Sequence, residues 1–256
     1  MSNPIDQGGV NISIENHIAT IEFFHPLSNS LPGKVLGQLA KAITGTGERN
    51  DVNVIILRSA GDRVFCGGAS FDELMSIENL DQGHVFFNGF ANVINAMRTC
   101  PKLIIGRVQG KAVGGGVGLA SSVDYCFATK FSAVKLSELA VGIGPFVVGP
   151  AVERKAGLSG MSAMAINASE FFSAEWAREK GIYTNVFDSI EEMDAAILVL
   201  ATKLASSNPE AMLALKKIFW QGTEHWETLL KERAAISGKL VLSDFTRNAI
   251  ESFKKK

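Results

Sequence analysis

The stretch from residue 101 to residue 145 joins an apolar segment to a dense glycine cluster and constrains the fold more than any other part of the sequence. Leu103–Val108 is rich in β-forming residues and is followed by Gly110, which predicts a buried strand. Four glycines then open a segment with a helical pattern that runs to about Ser122. They are Gly114, Gly115, Gly116 and Gly118. Each glycine in a helix costs about 1 kcal/mol relative to alanine, so the cluster needs a reason. Either a ligand such as an oxyanion, carboxylate or phosphate approaches bare backbone N–H groups there, or the helix packs very closely on a neighbour.

The composition excludes several classes of protein. The 256 residues are 46% hydrophobic and 20% charged, which predicts one large folded core. A net charge of −1 argues against nucleic-acid binding, which needs a basic surface. Cys66, Cys100 and Cys126 lack metal-ligand spacing, which predicts a reducing compartment and no metal. Neither a signal-peptide pattern nor a membrane-spanning apolar run is present, so we expect a cytoplasmic protein without a membrane partner.

Strands and helices alternate through the first two thirds of the chain. Apolar and polar residues alternate on both sides of Asn16 and His17, which predicts a β-hairpin. The following pattern predicts a helix over residues 34–44, a strand over 52–57, a helix that starts near Phe71 and a long helix over 81–99. This alternation indicates an α/β protein with helices that cover a sheet.

The end of the chain is predicted to be entirely helical. A short helix capped by Ser173 ends at Gly181, and four helical segments follow from residue 189 onward. Large apolar side chains such as Trp220 and Trp226 must be buried against the body or against a neighbouring subunit. We therefore predict a core of residues 1–190 and a C-terminal helical oligomerisation region of residues 191–256.

Three common motifs of other enzyme classes do not fit the glycine cluster. The dinucleotide pattern GxGxxG fails because Gly114 and Gly116 are followed by Leu119 where glycine is required. A phosphate loop fails because Ala112 stands where serine or threonine should bind magnesium. The GxSxG nucleophile motif is absent from the sequence.

Six segments resemble, in the right order, the motifs of the crotonase (enoyl-CoA hydratase/isomerase) superfamily. HPLSNSL is similar to RPxxxNAL, FCGGASFDEL to FxAGADLxEM, and GKAVGGGVGLASSVDYCFAT to GxAxGGGxELAxxxDxxxA. KLSELAVGIGP is similar to xxPExxLGIxP, and FFSAEWAREKGIYTNVF and IESFKKK resemble the last two motifs. The resemblance implies an α/β fold, built as a spiral of ββα units followed by a helical trimerisation region. It also implies an acyl-CoA thioester substrate, coenzyme A only as part of that substrate, and a homotrimer or dimer of trimers.

The family's catalytic groups map onto a few positions of this sequence. The resemblance implies an oxyanion hole made by the backbone N–H groups of Ala69 and Gly115, and a catalytic carboxylate at Glu138. Family hydratases pair two glutamates, but the first of these positions is Gly118 here, and Asp124 matches the family's structural aspartate. Moving a double bond between the β,γ and α,β positions needs one carboxylate, so the pattern favours a Δ3,Δ2-enoyl-CoA isomerase.

Two other functions stay open at this point. Gly118 leaves space that a branched acyl group, or a second acid such as Asp72 or Glu73, could fill, which would give a hydratase, for example of the methylglutaconyl-CoA type. A catalytically weak acyl-CoA-binding or scaffold protein is the other alternative. The dehalogenase branch of the family is disfavoured, because Pro145 and Phe146 stand where it needs an aspartate.

The resemblance also implies positions that contact the substrate. The acyl pocket is expected to include Phe146 and Phe71. The residues expected to bind coenzyme A are Ser28, Asn29, Leu31, Cys66, Gly67, Gly68, Phe253 and Lys254.

Overall fold

Two sheets form the framework of the molecule, a larger mixed sheet and a smaller parallel one. The computed structural model describes residues 3–254, apart from the side chains of Pro4, Phe253 and Lys254. Within these residues the strands are β1 (Gly9–Glu15), β2 (Ile18–Phe24), β3 (Val54–Ser59), β4 (Val64–Cys66), β5 (Leu103–Val108), β6 (Lys111–Val113), β7 (Tyr125–Thr129), β8 (Val134–Lys135) and β9 (Asn185–Phe187). The larger sheet has the order β1-β2-β3-β5-β7-β9, and the smaller one has the order β4-β6-β8. Only the β1–β2 pair of these is antiparallel.

Helices cover the sheets and make up the C-terminal quarter. They are α1 (Gly33–Gly47), α2 (Phe71–Ser76), α3 (Leu80–Thr99), α4 (Gly115–Ser122), α5 (Gly149–Ile166), α6 (Ala174–Glu179), α7 (Ile190–Ala205), α8 (Pro209–Phe219), α9 (Trp226–Leu240) and α10 (Asp244–Lys254). Short 3-10 helices occur at Pro4–Asp6 and Leu139–Val141. Among the described residues, no helix is long and apolar enough to cross a membrane.

The elements predicted from local patterns are confirmed. Asn16 and His17 have φ of 50° and 63°, as a tight hairpin turn between β1 and β2 requires. Ser173 caps α6 by accepting a hydrogen bond from the N–H of Trp176. The strand predicted over 52–57 begins two residues later, at Val54, which pairs with Ile18, the first residue of β2.

The helices after residue 190 complete the core of this chain. Side chains of β3, β5 and β7 form one apolar cluster with α7. Its members are Val54, Ile105, Phe127, Met193, Ile197 and Ala201. Farther on, α9 packs along α3 at a point where Gly83 and Gly238 allow the two backbones to touch. The region after residue 190 is therefore bound to the body within one chain, and its role in oligomerisation stays a prediction.

Asp124 anchors α8 to the sheet, as expected of a structural aspartate. Its Oδ2 accepts hydrogen bonds from the N–H of Ile104 at 2.7 Å and from Nζ of Lys216 at 2.6 Å. Its Oδ1 accepts a hydrogen bond from Nε1 of Trp220 at 2.9 Å. The side chains of Lys216 and Asp124 are only 3% and 5% exposed. This buried ion pair fixes α8 over the start of β5 and β7.

The smaller sheet places the glycine cluster, which follows β6, next to the residues that follow β8. The N–H of Gly114, between β6 and α4, donates to the carbonyl of Lys135 at the end of β8. Glu138 lies three residues beyond that point, at the start of the Leu139–Val141 turn. The parallel pairing of β6 with β8 therefore places the first turn of α4 beside Glu138.

Candidate active site

One cavity is lined by the three residues that the sequence predicted for catalysis, Ala69, Gly115 and Glu138. It encloses about 560 Å³ of space between atoms, solvent at its mouth included. The described residues that line it are Gly67, Gly68, Ala69, Phe71, Leu74, Phe87, Phe90, Gly114, Gly115, Ser137, Glu138, Val141, Ile143, Gly144, Pro145, Phe146, Val147, Val148 and Ser237. The lining is mostly apolar with a few polar groups, as in typical small-molecule sites.

Two backbone N–H groups are available as donors in this cavity. Ala69 directly precedes the N-cap of α2, and Gly115 is the first residue of α4. Among residues 3–254, neither N–H donates a hydrogen bond to a protein acceptor. A β carbon built on Gly68 would lie 3.9 Å from the nitrogen of Gly115, so the two loops are neighbours. Two unbonded donors, one at a helix N-terminus, are suited to a carbonyl oxygen that gains negative charge.

Close contacts explain the glycines at the start of α4. Gly114 has φ of +52°, which side chains rarely tolerate, and a β carbon there would lie 3.0 Å from Oε1 of Glu138. A β carbon on Gly115 would overlap the ring of Phe90, which lies on α3. Both explanations offered for the cluster therefore apply, because the tight packing also leaves the N–H of Gly115 bare.

Glu138 is the only ionisable side chain among the described residues that line the cavity. The residue is half-buried, but its Oε2 is shielded from solvent and has no hydrogen-bond partner within residues 3–254. Burial raises the pKa of the Glu138 carboxyl from its ordinary value to about 7. A buried carboxyl without a partner is costly, and such groups are concentrated at functional sites. The position and the raised pKa of Glu138 are therefore suited to a group that accepts a proton.

The space expected beside Gly118 is filled, which corrects the prediction. A β carbon on Gly118 would lie 2.5 Å from Cγ1 and 2.8 Å from Cβ of Val148, a residue that also lines the cavity. The chain that leads into α5 thus occupies the position where a glutamate side chain would extend. The cavity has an apolar wall there instead of a second carboxylate or an acyl branch.

The two candidate second acids lie elsewhere. Neither Asp72 nor Glu73 is among the described residues that line the cavity. The Oε2 atom of Glu73 accepts a hydrogen bond of 2.7 Å from the N–H of Gly33, at the start of α1. Burial raises the pKa of the Glu73 carboxyl, and this hydrogen bond opposes the rise. The idea that these acids replace the missing glutamate gains no support from their positions.

The expected coenzyme A contacts are only partly gathered at the cavity. Gly67 and Gly68 line it, whereas Ser28, Asn29, Leu31 and Cys66 do not. The loop that contains Ser28 is nevertheless hydrogen-bonded to the cavity lining, since the N–H of Gly67 donates to the carbonyl of Ser28 at 2.9 Å. Burial raises the pKa of the Cys66 thiol to about 12, which makes it unreactive. The side chains of Phe253 and Lys254 lie outside the described residues.

The cavity lining contains both residues predicted for the acyl pocket and several that the sequence analysis missed. Phe71 and Phe146 line the cavity as expected. Phe87 and Phe90 reach it from α3, and Ser237 reaches it from α9. The apolar stripe of α3 was visible in the sequence, but such a stripe is equally typical of core packing, so nothing marked these side chains as pocket residues.

A family model and several curated proteins match the chain. The model describes enoyl-CoA hydratase/isomerase and matches residues 13–256. The chain is 26% identical over 231 residues to the peroxisomal Delta(3,5)-Delta(2,4)-dienoyl-CoA isomerase of Arabidopsis thaliana, which covers 84% of this chain and 81% of the plant protein. It is 29% identical over 201 residues to the mitochondrial methylglutaconyl-CoA hydratase of Mus musculus, which covers 77% of this chain and 63% of the mouse protein.

Solved structures share the fold. The crystal structure of enoyl-CoA hydratase from Bacillus halodurans superimposes with a TM-score of 0.87 at 19% identity, over 95% of this chain and 99% of that one. An enoyl-CoA hydratase/isomerase from Xanthobacter autotrophicus gives a TM-score of 0.86 at 20% identity, over 96% of this chain and 93% of that one. These similarities confirm the predicted α/β fold with its C-terminal helices.

Proposed function

The chain belongs to the enoyl-CoA hydratase/isomerase family, and on that premise we propose that it is a Δ3,Δ2-enoyl-CoA isomerase acting through a single base. One observation carries the proposal. The cavity holds one carboxylate, whose Oε2 is shielded from solvent, beside the N–H groups of Ala69 and Gly115; within residues 3–254 this oxygen and both N–H groups have no hydrogen-bond partner. This is the minimum set for moving a proton next to a thioester carbonyl.

The proposed reaction uses each of these groups once. Glu138 takes a proton from C2 of a 3-enoyl-CoA, and the electron pair moves into a dienolate whose oxygen accepts hydrogen bonds from Ala69 and Gly115. The protonated Glu138 then returns the proton at C4, which leaves the double bond between C2 and C3. Removing one donor of an oxyanion hole typically costs about 2.7–4 kcal/mol of transition-state stabilisation, so both N–H groups are needed for an efficient reaction.

Hydration is the less favoured function because it needs a second acid or base. Adding water across a double bond requires one group that deprotonates the water and another that delivers a proton to C2. The position from which family hydratases provide the second glutamate is Gly118, and Val148 fills the space beside it. A missing acid or base costs about 10²–10⁴-fold in rate.

The lining also favours an apolar acyl chain. The mouse relative is named for a methylglutaconyl-CoA substrate. A methylglutaconyl group carries a free carboxylate at the end opposite to the thioester. The described lining residues include no cation that could pair with such a carboxylate, and Glu138 would repel it. We therefore infer that the substrate is an unsaturated hydrocarbon acyl chain. A scaffold or acyl-CoA-binding role without catalysis would not need a shielded carboxyl with a pKa near 7.

The pH dependence of the rate should report the ionisation of Glu138. As a base it must be deprotonated, and its pKa is raised to about 7. We expect kcat/KM for isomerisation to rise about tenfold per pH unit below pH 7 and to level off above it. Steady-state rates between pH 5 and pH 9 test this, with thioester binding measured in parallel to exclude a binding effect. A flat profile from pH 5 to pH 8 would contradict the assignment.

Restoring the missing glutamate alone should not create a hydratase. In Gly118→Glu the new side chain meets Val148, and overpacking of a core costs typically about 1–3 kcal/mol of stability. We expect a lower melting temperature and no gain in hydration of crotonyl-CoA. The double variant Gly118→Glu/Val148→Gly serves as the comparison, because it removes both Cγ1 and Cβ of Val148 and leaves only Cα, at 3.7 Å, near the new side chain. A gain in hydration by the single variant would show that Val148 does not block this position.

A direct substrate comparison tests the proposed function. Purified protein is incubated with 3-hexenoyl-CoA, crotonyl-CoA or 3-methylglutaconyl-CoA, and products are separated by liquid chromatography. We expect 2-hexenoyl-CoA as the main product and little turnover of the other two. Hydration of crotonyl-CoA without isomerisation would favour the hydratase, and binding without turnover of all three would favour a scaffold.

A further inference from the structure

The loop that carries the N–H of Ala69 is hydrogen-bonded to an earlier loop, which contains Ser28 and Leu31. Three backbone hydrogen bonds join them: from Gly67 to the carbonyl of Ser28 at 2.9 Å, from Leu31 to that of Gly68 at 2.8 Å, and from Ser70 to that of Leu31 at 3.4 Å. The direction of the Ala69 N–H therefore depends on how α2, which follows this loop, is held relative to α1, which follows the other.

A carboxylate joins the first turns of these two helices. Glu73 is the third residue of α2, and its Oε2 accepts a 2.7 Å hydrogen bond from the N–H of Gly33, the first residue of α1. At the N-terminus of α1, Pro32 provides no side-chain cap, and the first turn contains no acidic residue. A carboxylate at a helix N-terminus is favoured by the unpaired N–H groups and by the helix dipole. Glu73 thus supplies from α2 the cap that α1 lacks.

The contact between Glu73 and the start of α1 depends on the absence of a side chain at residue 33. A β carbon on Gly33 would lie 2.9 Å from Oε1 of Glu73. The atom it meets is the end of a flexible side chain, so an alanine would displace the carboxylate and leave the backbone in place. The Glu73–Gly33 pair therefore offers two independent ways to break the same contact.

We propose that Glu73 is a positioning residue that directs the N–H of Ala69 toward the thioester oxygen by tying α2 to the start of α1. Glu73 touches no reacting atom in this role. α2 has only six residues and is short of internal hydrogen bonds, so the contact of Glu73 with Gly33 adds to the three backbone hydrogen bonds that hold Ala69 and the Ser70 cap. This inference rests on the proposed function, because it assumes that Ala69 is an oxyanion donor.

Three variants and one control test the role by kinetics. Since a misplacement of about 1 Å can cost 100-fold, we expect Glu73→Ala and Gly33→Ala each to lower kcat for 3-hexenoyl-CoA by roughly 10- to 100-fold, with little change in KM. Glu73→Gln keeps an oxygen acceptor for Gly33 and should retain most of the rate. Glu78→Ala removes an exposed carboxylate beyond the other end of α2 and should leave the rate unchanged. Circular dichroism at the assay temperature checks that each variant is folded.

An infrared measurement separates positioning from a general structural effect. The carbonyl stretch of a bound, 13C-labelled thioester shifts to lower frequency when N–H groups bond to its oxygen. We expect this shift in the wild type and in Glu73→Gln, and a smaller shift in Glu73→Ala and Gly33→Ala. An unchanged shift and kcat in Glu73→Ala, or an equal loss in Glu73→Gln, would overturn the inference alone. A wild type without any shift would instead contradict the oxyanion hole of the proposed function.

Discussion

Replacing Glu138 by glutamine is expected to lower kcat for isomerisation by about 10²–10⁴-fold, because the variant has no base to accept the C2 proton. The amide is nearly the same size as the carboxyl and keeps the cavity filled, so the affinity for acyl-CoA should change little. Single-turnover measurements with 3-hexenoyl-CoA separate the chemical step from binding. Glu170→Gln is the matched control and should keep the wild-type rate, because Glu170 is exposed and lies outside the cavity lining. A Glu138→Gln rate within threefold of wild type would exclude Glu138 as the base.

The stability of Glu138→Gln separates a loss of catalysis from a loss of folding, because this variant is expected to be at least as stable as the wild type. Because burial raises the folded-state pKa of Glu138 from 4.5 to about 7, the folded protein favours the protonated carboxyl. Ionisation of Glu138 should therefore lower the free energy of unfolding by on the order of 3 kcal/mol as the pH rises from about 4.5 to about 7. Glu138→Gln lacks this penalty and should be the more stable protein at pH 8. Urea unfolding of both proteins at pH 5 and pH 8 measures the difference.

Replacing Asp124 by alanine is expected to destabilise the fold by about 3–5 kcal/mol, because it leaves the ammonium group of Lys216 buried without a partner. The same change also removes acceptors from the N–H of Ile104 and from Nε1 of Trp220. Loss of this anchor should free α8 from the sheet. Urea unfolding monitored by tryptophan fluorescence measures the free energy of unfolding.

A double variant identifies the buried charge as the cause. In Asp124→Ala/Lys216→Met the unpaired ammonium is gone, and much of the stability should return, since apolar replacements of buried ion pairs are often well tolerated. Lys231→Met, at an exposed pair with Glu227, is a control whose expected effect is within about 1 kcal/mol. A loss below about 1 kcal/mol for Asp124→Ala would show that the pair contributes little.

Much of the site could be predicted because its parts lie in short motifs with local geometry. The bare N–H of Gly115 follows from a glycine-rich helix start, and Glu138 lies only 23 residues further on, across a parallel pair of short strands. Ala69 was expected because FCGGASFDEL resembles a family motif, and the structure places it directly before Ser70, the N-cap of α2. Local sequence is informative in such cases because turns and caps depend on few residues.

What could not be predicted depends on contacts between distant segments. A glycine at 118 indicates a vacant position in the sequence, but Val148 fills it because the chain entering α5 passes directly over α4. Glu73 was a candidate second acid in the sequence. Its hydrogen bond to the N–H of Gly33, which lies 40 residues away in the chain, became visible only in the structure. The raised pKa of Glu138 likewise follows from burial by several elements, which no local pattern encodes. Each of these features is a matter of packing, and packing is decided by the whole fold.

The central claim is that one carboxylate serves isomerisation and does not suffice for hydration. The most direct test is the ratio of two kcat/KM values for the wild type, one for conversion of 3-hexenoyl-CoA to 2-hexenoyl-CoA and one for hydration of 2-hexenoyl-CoA. With the second acid missing, isomerisation should exceed hydration by about 100-fold or more. A hydration value equal to or above the isomerisation value would contradict the claim.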